Sequence, residues 1–481
     1  MLSEGETPRK MRATRPQLTF ADLEFLQQGV HLDPALQAIS QFLDQHADIV
    51  ELVCQDLQRG LQKPHSGRGG INAPQVLRSV ILMRIKDWDY RELRERINDG
   101  YTLRHFTCFN GDPVPQHDAF NRAVLRLTPQ ALESINRAVV QAAVRLGIED
   151  GGKLRADTTV VETNIHYPSD ATLLWDSVRV ITRLVEELHE TLPDGVTGFT
   201  NRTRAARRRM QEIQRMTSQQ RQEQQVPKYR ELIQVTEQVV ANARAVVQKT
   251  EGFQAHNLKD DLVLDQWRKQ IREFCQLADR VVDQTRRRVL RGEQVPSQQK
   301  VYSIFEPHTD LIKRGKVQKP VEFGHKVFLA ESAQGLITDY RVLDGNPSDE
   351  DQVQASLDQH QETFGRAPDL YGADRGFYSK DNVNRCEQAG VADVSIPQRG
   401  GTKTAAQKLH EKSPAFRQGQ RFRAGIEGTI SVLFRGRGMK RCPARGRKRF
   451  EVFVGAAVLT NNLMRLAKLL KKPSARPKRA A

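Results

Sequence analysis

Apolar residues recur at helical spacing through the first third of the chain. Leu36, Ile39, Phe42 and Leu43 fall on one face, and Leu77, Val80, Ile81 and Ile85 fall on another, because positions three and four apart stack on the same side of a helix. The loop Gly67-Arg68-Gly69-Gly70 separates the two groups, since glycine clusters punctuate helices. Shorter helices are predicted over residues 90–97 and 117–127, and a longer one over 129–146. Residues 17–150 thus read as an all-helical domain. The polar, basic segment 1–16 before it, with Arg9, Lys10, Arg12 and Arg15, is predicted to be disordered.

The period changes at Lys153. The stretch Lys153-Leu154-Arg155-Ala156-Asp157-Thr158-Thr159-Val160-Val161-Glu162 is rich in β-branched residues and predicts a strand. Helical spacing then returns over 169–296. Leu174, Val178, Ile181, Val185, Leu188 and Leu192 keep to one stripe, and Leu232, Val235, Val239 and Val246 to a second. These stripes predict an antiparallel helical hairpin packed on itself. Arg207-Arg208-Arg209 and Arg286-Arg287-Arg288 punctuate it. Three adjacent residues cannot all share one helix face, so either solvation or contact with a polyanion accounts for them.

Strand patterns resume at Val301-Tyr302-Ser303-Ile304-Phe305, then over 321–330 and 336–343. Ser348 or Asp349 is placed to cap a helix running to Phe364. A strand at Leu370, a helix over 380–389 and a strand over 392–396 follow. Three strands succeeded by helix and strand in alternation predict an α/β fold with a mixed (α+β) sheet, interrupted by the helical insertion 169–296. Residues 450–470 are amphipathic and predict a last helix docked on the core. The basic, Pro-containing end, 471–481, is predicted to be disordered.

Within this frame three carboxylates stand out. Leu370-Tyr371-Gly372-Ala373-Asp374-Arg375-Gly376-Phe377 reads as a buried strand ending at Asp374. A strand-ending Asp is commonly a cap or turn former, yet ligands of open α/β sheets bind beyond the carboxyl ends of strands. Asp157 lies on a second strand. In the stretch 423–434, Ile426, Ile430, Leu433 and Phe434 form one helical face, with Glu427 at its edge and Arg423 one turn earlier.

The order strand-Asp, strand-Asp, helix-Glu resembles the Asp-Asp-Glu (DDE) transposases of bacterial insertion sequences. Arg423-x-x-x-Glu427 matches the Arg-x-x-x-Glu part of a signature in that group, and the phrases 156–164 and 372–378 look most like the ISNCY type. The match covers roughly residues 70–470. Two positions depart from the signature: its Tyr is Gln420 here, and its basic residue falls on Phe434, with Arg435 one step on. The resemblance implies an RNase H-like catalytic domain over 151–470 and an N-terminal DNA-binding region within 17–150. It implies a DNA transposase that binds terminal inverted repeats, cleaves the DNA ends and joins them to target DNA. Asp157, Asp374 and Glu427 would then be both the catalytic residues and the ligands of two Mg²⁺ or Mn²⁺ ions, with Asp157 bridging them. Double-stranded DNA and further copies of the chain are the implied partners.

Composition agrees with a polyanionic partner. The 481 residues carry 75 Lys and Arg against 58 Asp and Glu, a net charge of +17. Eight of the fifteen residues from Arg435 to Arg449 are basic and none is acidic. Like charges this dense repel unless a polyanion neutralises them. Arg435, Arg437, Lys440, Arg441, Arg445, Arg447, Lys448 and Arg449 are therefore candidate DNA contacts, with Arg423 near the scissile phosphate. Cys54, Cys108, Cys275, Cys386 and Cys442 form no C-x-x-C pair, which argues against a disulfide framework or structural zinc. With no secretory or membrane-spanning pattern, a cytoplasmic, nucleoid-associated protein is expected.

The chemistry fits the residue types. Phosphodiester cleavage and transfer proceed well between two hard cations roughly 3.5–4 Å apart, and such cations take carboxylate oxygens. Of the competing carboxylates, Glu162 is an odd offset from Asp157 and points to the other strand face; Asp344, Asp349 and Asp381 fall in turns or caps. His166 and His325 lack partners at ligand spacing and receive no metal role. The alternative readings are a non-catalytic DNA-binding descendant, an RNase H-like nuclease that cuts without joining, and a helical scaffold.

Overall fold

The computed structural model describes residues 31–62, 70–192, 198–251, 253, 258–313 and 321–471. The terminal segment 1–16, the loop at Gly67 to Gly69 and nearly all of the tail 471–481 lie outside them. Two compact units divide the chain: 1–162 with 326–481, and 163–325.

In the first unit the expected N-terminal helices are α1 (Pro34–Gln45), α2 (Ala47–Gln58), α3 (Ala73–Lys86), α4 (Tyr90–Asp99), α5 (Tyr101–Phe106), α6 (His117–Val124) and α7 (Pro129–Arg145). Their starts carry local signals. Asp33, Asn72, Asp89 and Thr128 each cap a first turn with a side-chain oxygen, satisfying donors that a helix leaves unpaired. The predicted faces Leu36, Ile39, Phe42, Leu43 and Leu77, Val80, Ile81 are buried in one core with Ile135 and Val139.

The strands of this unit are β1 (Lys153–Thr163), β3 (Val321–Ser332), β4 (Ile337–Val342), β5 (Leu370–Gly372), β6 (Asp393–Ser395) and the short β7 (Arg441–Cys442); β2 (Asp310–Lys313) lies earlier in the chain. Neighbours run β3-β1-β5-β6, with β4 pairing β3 and β7 pairing β1. β3 and β4 are antiparallel, whereas β1-β5 and β5-β6 are parallel. Mixed α/β architecture is thus observed, as the pattern predicted.

The last helix, α16 (Arg447–Leu470), departs from expectation. Rather than docking one apolar face, it buries residues on nearly every side between Phe450 and Leu463. Val452, Leu459 and Leu463 enter the core of the N-terminal helices, while Phe450, Val454 and Val458 pack with the sheet residues Val327 and Leu329. One of its buried polar residues ties the two sides together: Asn462 donates to Asn136 Oδ1 at 2.8 Å and accepts from Ile337 N at 2.8 Å.

The second unit is largely helical. α8 (Asp170–Thr191), α9 (Thr203–Arg215), α10 (Ser218–Thr250) and α11 (Leu258–Thr285) share a core that includes Leu174, Ile181, Leu188, Leu232, Val239 and Ile271. The two predicted stripes are buried there, but among four helices and not in a hairpin. β2 pairs antiparallel with Val321–Gly324. No strand forms at Val301 to Phe305: Val301 N donates to the Gln284 side chain, and Ser303 Oγ accepts from Phe305 N and Glu306 N. Those side-chain acceptors take donors that a strand would need.

Candidate active site

Side chains alternate along β1. Leu154 and Ala156 enter a core with Phe328, Val353 and Tyr371. On the other face Val161 packs with Ile426 and Leu433, so Arg155 and Asp157 point the same way. β1 and β5 pair in parallel as far as Arg155↔Gly372. Asp157 and Asp374 each lie two residues beyond that last pair, side by side at the carboxyl ends, where open α/β sheets bind their ligands.

The third carboxylate arrives on α15 (Pro414–Gly436), which follows α12 (Val353–Phe364), α13 (Lys380–Gln388) and α14 (Ala405–Lys412). Ser413 caps α15 and Pro414 starts it, the favoured residues for those positions. Two glycines let it lie close on the strand ends. A Cβ at Gly419 would come within 2.5 Å of the Ser395 side chain, and one at Gly425 within 2.1 Å of Arg155 Nη1. Gln420, where the signature has Tyr, donates to Ser395 O at 2.6 Å and Ala373 O at 3.2 Å. It pins the helix to the ends of β6 and β5. Arg155 adds a second fastening: it donates to Phe422 O at 2.8 Å and pairs with buried Glu331 at 2.8 Å. Glu331 in turn accepts from Thr429 Oγ1 at 2.6 Å.

The outcome is a convergence on Arg423. Its Nη2 lies 3.0 Å from Asp157 Oδ2 and 3.7 Å from Asp374 Oδ2, and its Nη1 lies 3.1 Å from Glu427 Oε1. One guanidinium therefore faces all three carboxylates. Asp157 is mostly buried and Glu427 is 66% exposed at its side chain. Burial, opposed by Arg423 and reinforced by neighbouring Asp374 and Asp349, pushes the Asp157 carboxyl up to about 6. Asp374 also caps the turn Arg375–Phe377, accepting from Gly376 N at 2.7 Å. The same side chain thus caps a turn and faces Arg423.

Asp349 was expected only as a cap. Ser348 takes that role, and Asp349 instead accepts from Thr158 Oγ1 at 2.8 Å and Lys326 Nζ at 3.1 Å. It thus stands beside Asp157 as a fourth carboxylate, and no local pattern distinguished it. Among the described residues, no three His, Cys, Asp or Glu side chains are gathered as a metal-binding group. The donor set nevertheless suits a hard cation: three carboxylates surround one positive charge.

The basic run divides. Arg435, Lys440, Arg441, Arg445, Lys448 and Arg449 are exposed. Arg437 is only 8% exposed, and its burial lowers its proton affinity. Arg447 donates to Val342 O at 2.8 Å and pairs with Glu451 and Asp344. Lys440 and Arg441 both pair with Glu162, at 3.4 and 3.3 Å. Of the arginine triplets, Arg286 pairs with Glu237, Arg287 with Glu293, Arg288 with Asp170, Arg208 with Glu212 and Arg209 with Glu231. His166 lies near Asp176, and His325 joins His308 and Asp310.

Residues 312–463 match the family model described as transposase DDE domain. The matched segment includes Asp374, Arg423, Glu427 and the basic run, and begins well after Asp157. No curated protein and no solved structure matches the chain. Among the described residues, no helix is long and apolar enough to cross a membrane.

Proposed function

From the transposase DDE domain carried by residues 312–463, which bears out the resemblance to insertion-sequence DDE transposases, we propose that this chain cleaves DNA at the ends of its element and joins them to a target. The single observation that carries the reading is the convergence of Asp157, Asp374 and Glu427 on Arg423. The strand path β3-β1-β5-β6, with β1 between β3 and β5 and β4 pairing β3, supports an RNase H-like catalytic domain. The helices before β1 are the proposed site of terminal-repeat recognition, and several copies of the chain act together on DNA.

Asp157, Asp374 and Glu427 would hold the divalent cations, Mg²⁺ or Mn²⁺. Bound there, two such ions supply an activated oxygen nucleophile and stabilise the leaving 3′ oxygen. The chain's own residues set the stage. Gln420 and Arg155 hold α15 against the strand ends, which fixes the height of Glu427 above the two aspartates. Asp349, tied to Lys326 and Thr158, borders the pair on the β3 side. Arg423 neutralises the carboxylates, which would otherwise repel one another. When cations take that place, the guanidinium is freed towards a DNA phosphate, a bidentate acceptor that Arg suits.

The test uses Asp157→Asn, Asp374→Asn and Glu427→Gln on DNA carrying the element's ends. Each retains the shape of the side chain and removes charge the cations need. End cleavage should fall by at least about 10²-fold, with duplex binding almost unchanged. Cleavage at the ordinary rate in any of the three would remove that residue from the site.

A further inference from the structure

The approach to Glu427 from its N-terminal side has a surface that the reading above leaves unused. α14 buries none of its residues, and Leu409 at its centre is 74% exposed. An isolated exposed leucine needs no explanation, but this one sits in unusual company. From Arg399 to Arg423 the chain has seven basic residues and a single acidic one, Glu411. Glu411 is already occupied, accepting from Gln398 N at 3.0 Å and Lys403 Nζ at 2.5 Å. Arg399, Lys408, Lys412, Arg417 and Arg421 are all exposed, and none forms an ion pair with another described residue. Arg417 and Arg421 are one turn apart on the exposed side of α15, the helix that further on carries Arg423 and Glu427. His410 stacks edge-on against Phe416 with ring centroids 5.2 Å apart, so α14 is braced on the start of α15.

We propose that this surface is where duplex DNA lies beside the scissile phosphate. Arg399, Lys408, Lys412, Arg417 and Arg421 contact the phosphate backbone, and Leu409 enters a base step from the groove. The proposal rests on the transposase reading for the nature of the polyanion. Exposed basic side chains grouped along the chain with one exposed apolar residue have the chemistry that binds and locally unstacks a duplex: cations hold the backbone, and an apolar wedge opens a step at a cost of a few kcal/mol. An opened step kinks the duplex, which would turn the DNA that flanks the cut towards the carboxylates.

The experiment is a salt series of binding to a mixed-sequence linear duplex, with 2-aminopurine placed in turn at positions near one end. Arg417→Gln with Arg421→Gln should make the log–log salt slope shallower by about two units. The unaltered protein should raise 2-aminopurine emission at one step, and Leu409→Ala should abolish that rise while binding persists; Leu409→Met should restore it. Thermal melts of each variant check folding, which exposed substitutions should leave intact. An unchanged slope, with the unaltered protein still binding duplex, overturns the surface and leaves the transposase reading standing. Emission that rises nowhere, or rises equally in Leu409→Ala, overturns the wedge. Failure of the unaltered protein to bind duplex at all removes both the surface and the reading beneath it.

Discussion

Two basic stretches flank Glu427, and they differ in where their charge goes. Downstream, from Arg435 to Arg449, the density is higher, yet much of it is answered inside the protein. Arg447 is held by carbonyls at the end of β4 and by Glu451, Arg437 is buried, and Lys440 and Arg441 share Glu162. Upstream, from Arg399 to Arg421, the basic residues are spaced out and, apart from Lys403, which pairs with Glu411, exposed. Charge density along a sequence shows how much must be neutralised, not what neutralises it. A dense run beside a strand edge is well placed to find the protein's own acceptors. A sparse run on exposed helices is left for a polyanion.

Arg423 tests that contrast most severely, since it ends the upstream stretch and is nonetheless claimed by three carboxylates. Arg423→Ala should lower end cleavage by about 10²-fold, while DNA affinity falls by no more than about one phosphate contact. In the absence of DNA the same variant should bind Mn²⁺ more tightly, read by electron paramagnetic resonance, because the competing cation is gone. Normal cleavage together with unaltered Mn²⁺ affinity would mean that Arg423 is a surface partner only.

A smaller effect is expected downstream. Arg447→Ala removes hydrogen bonds from a charged donor to Val342 O and an ion pair with Glu451. Each such bond contributes about 1.5–3 kcal/mol, so the variant should lose about 2–3 kcal/mol of stability in urea unfolding. Its salt slope for duplex binding should match that of the unaltered protein. A shallower slope with unchanged stability would return Arg447 to the DNA and blur the contrast.

The sequence announced whatever was written in neighbours. β1 was legible from Val160, Val161 and the threonine pair, and the helix bearing Glu427 from Ile426, Ile430 and Leu433. Contacts across long separations were not. Arg423 and Asp157 stand 266 residues apart, and nothing near either position shows that a guanidinium would fill the centre of the three acids. Asp349 looked like a cap because Ser348 beside it is one. The stretch 301–305 looked like a strand because the Gln284 side chain that takes its donor is distant in sequence. α16 seemed amphipathic because apolar periodicity does not reveal that a second core covers the opposite face. Expected faces held wherever one neighbour decided burial and failed where two did.

The mildest perturbation gives the finest reading of the contrast. Glu162 lies on β1, where its backbone N–H donates to Lys440 O at 3.0 Å and its carboxylate faces Lys440 and Arg441. Glu162→Gln keeps the strand position and side-chain length but removes the negative charge that tempers the two cations. If the protein's own acids are what withhold the downstream run from DNA, that loss should make more of its charge available to phosphates. Duplex affinity at low salt should rise several-fold, and the salt slope should steepen by up to about one unit. Stability should change little, because Lys440 and Arg441 are exposed partners, which keeps such pairs weak, Gln fills the buried Glu162 position, and the backbone bond remains. The measurement is the same salt series, with Arg441→Gln in the Glu162→Gln background as the internal comparison: the added slope should vanish there. If Glu162→Gln leaves slope and affinity alone, Lys440 and Arg441 were already meeting phosphates alongside Glu162, and the downstream stretch belongs to the DNA path as fully as the upstream one.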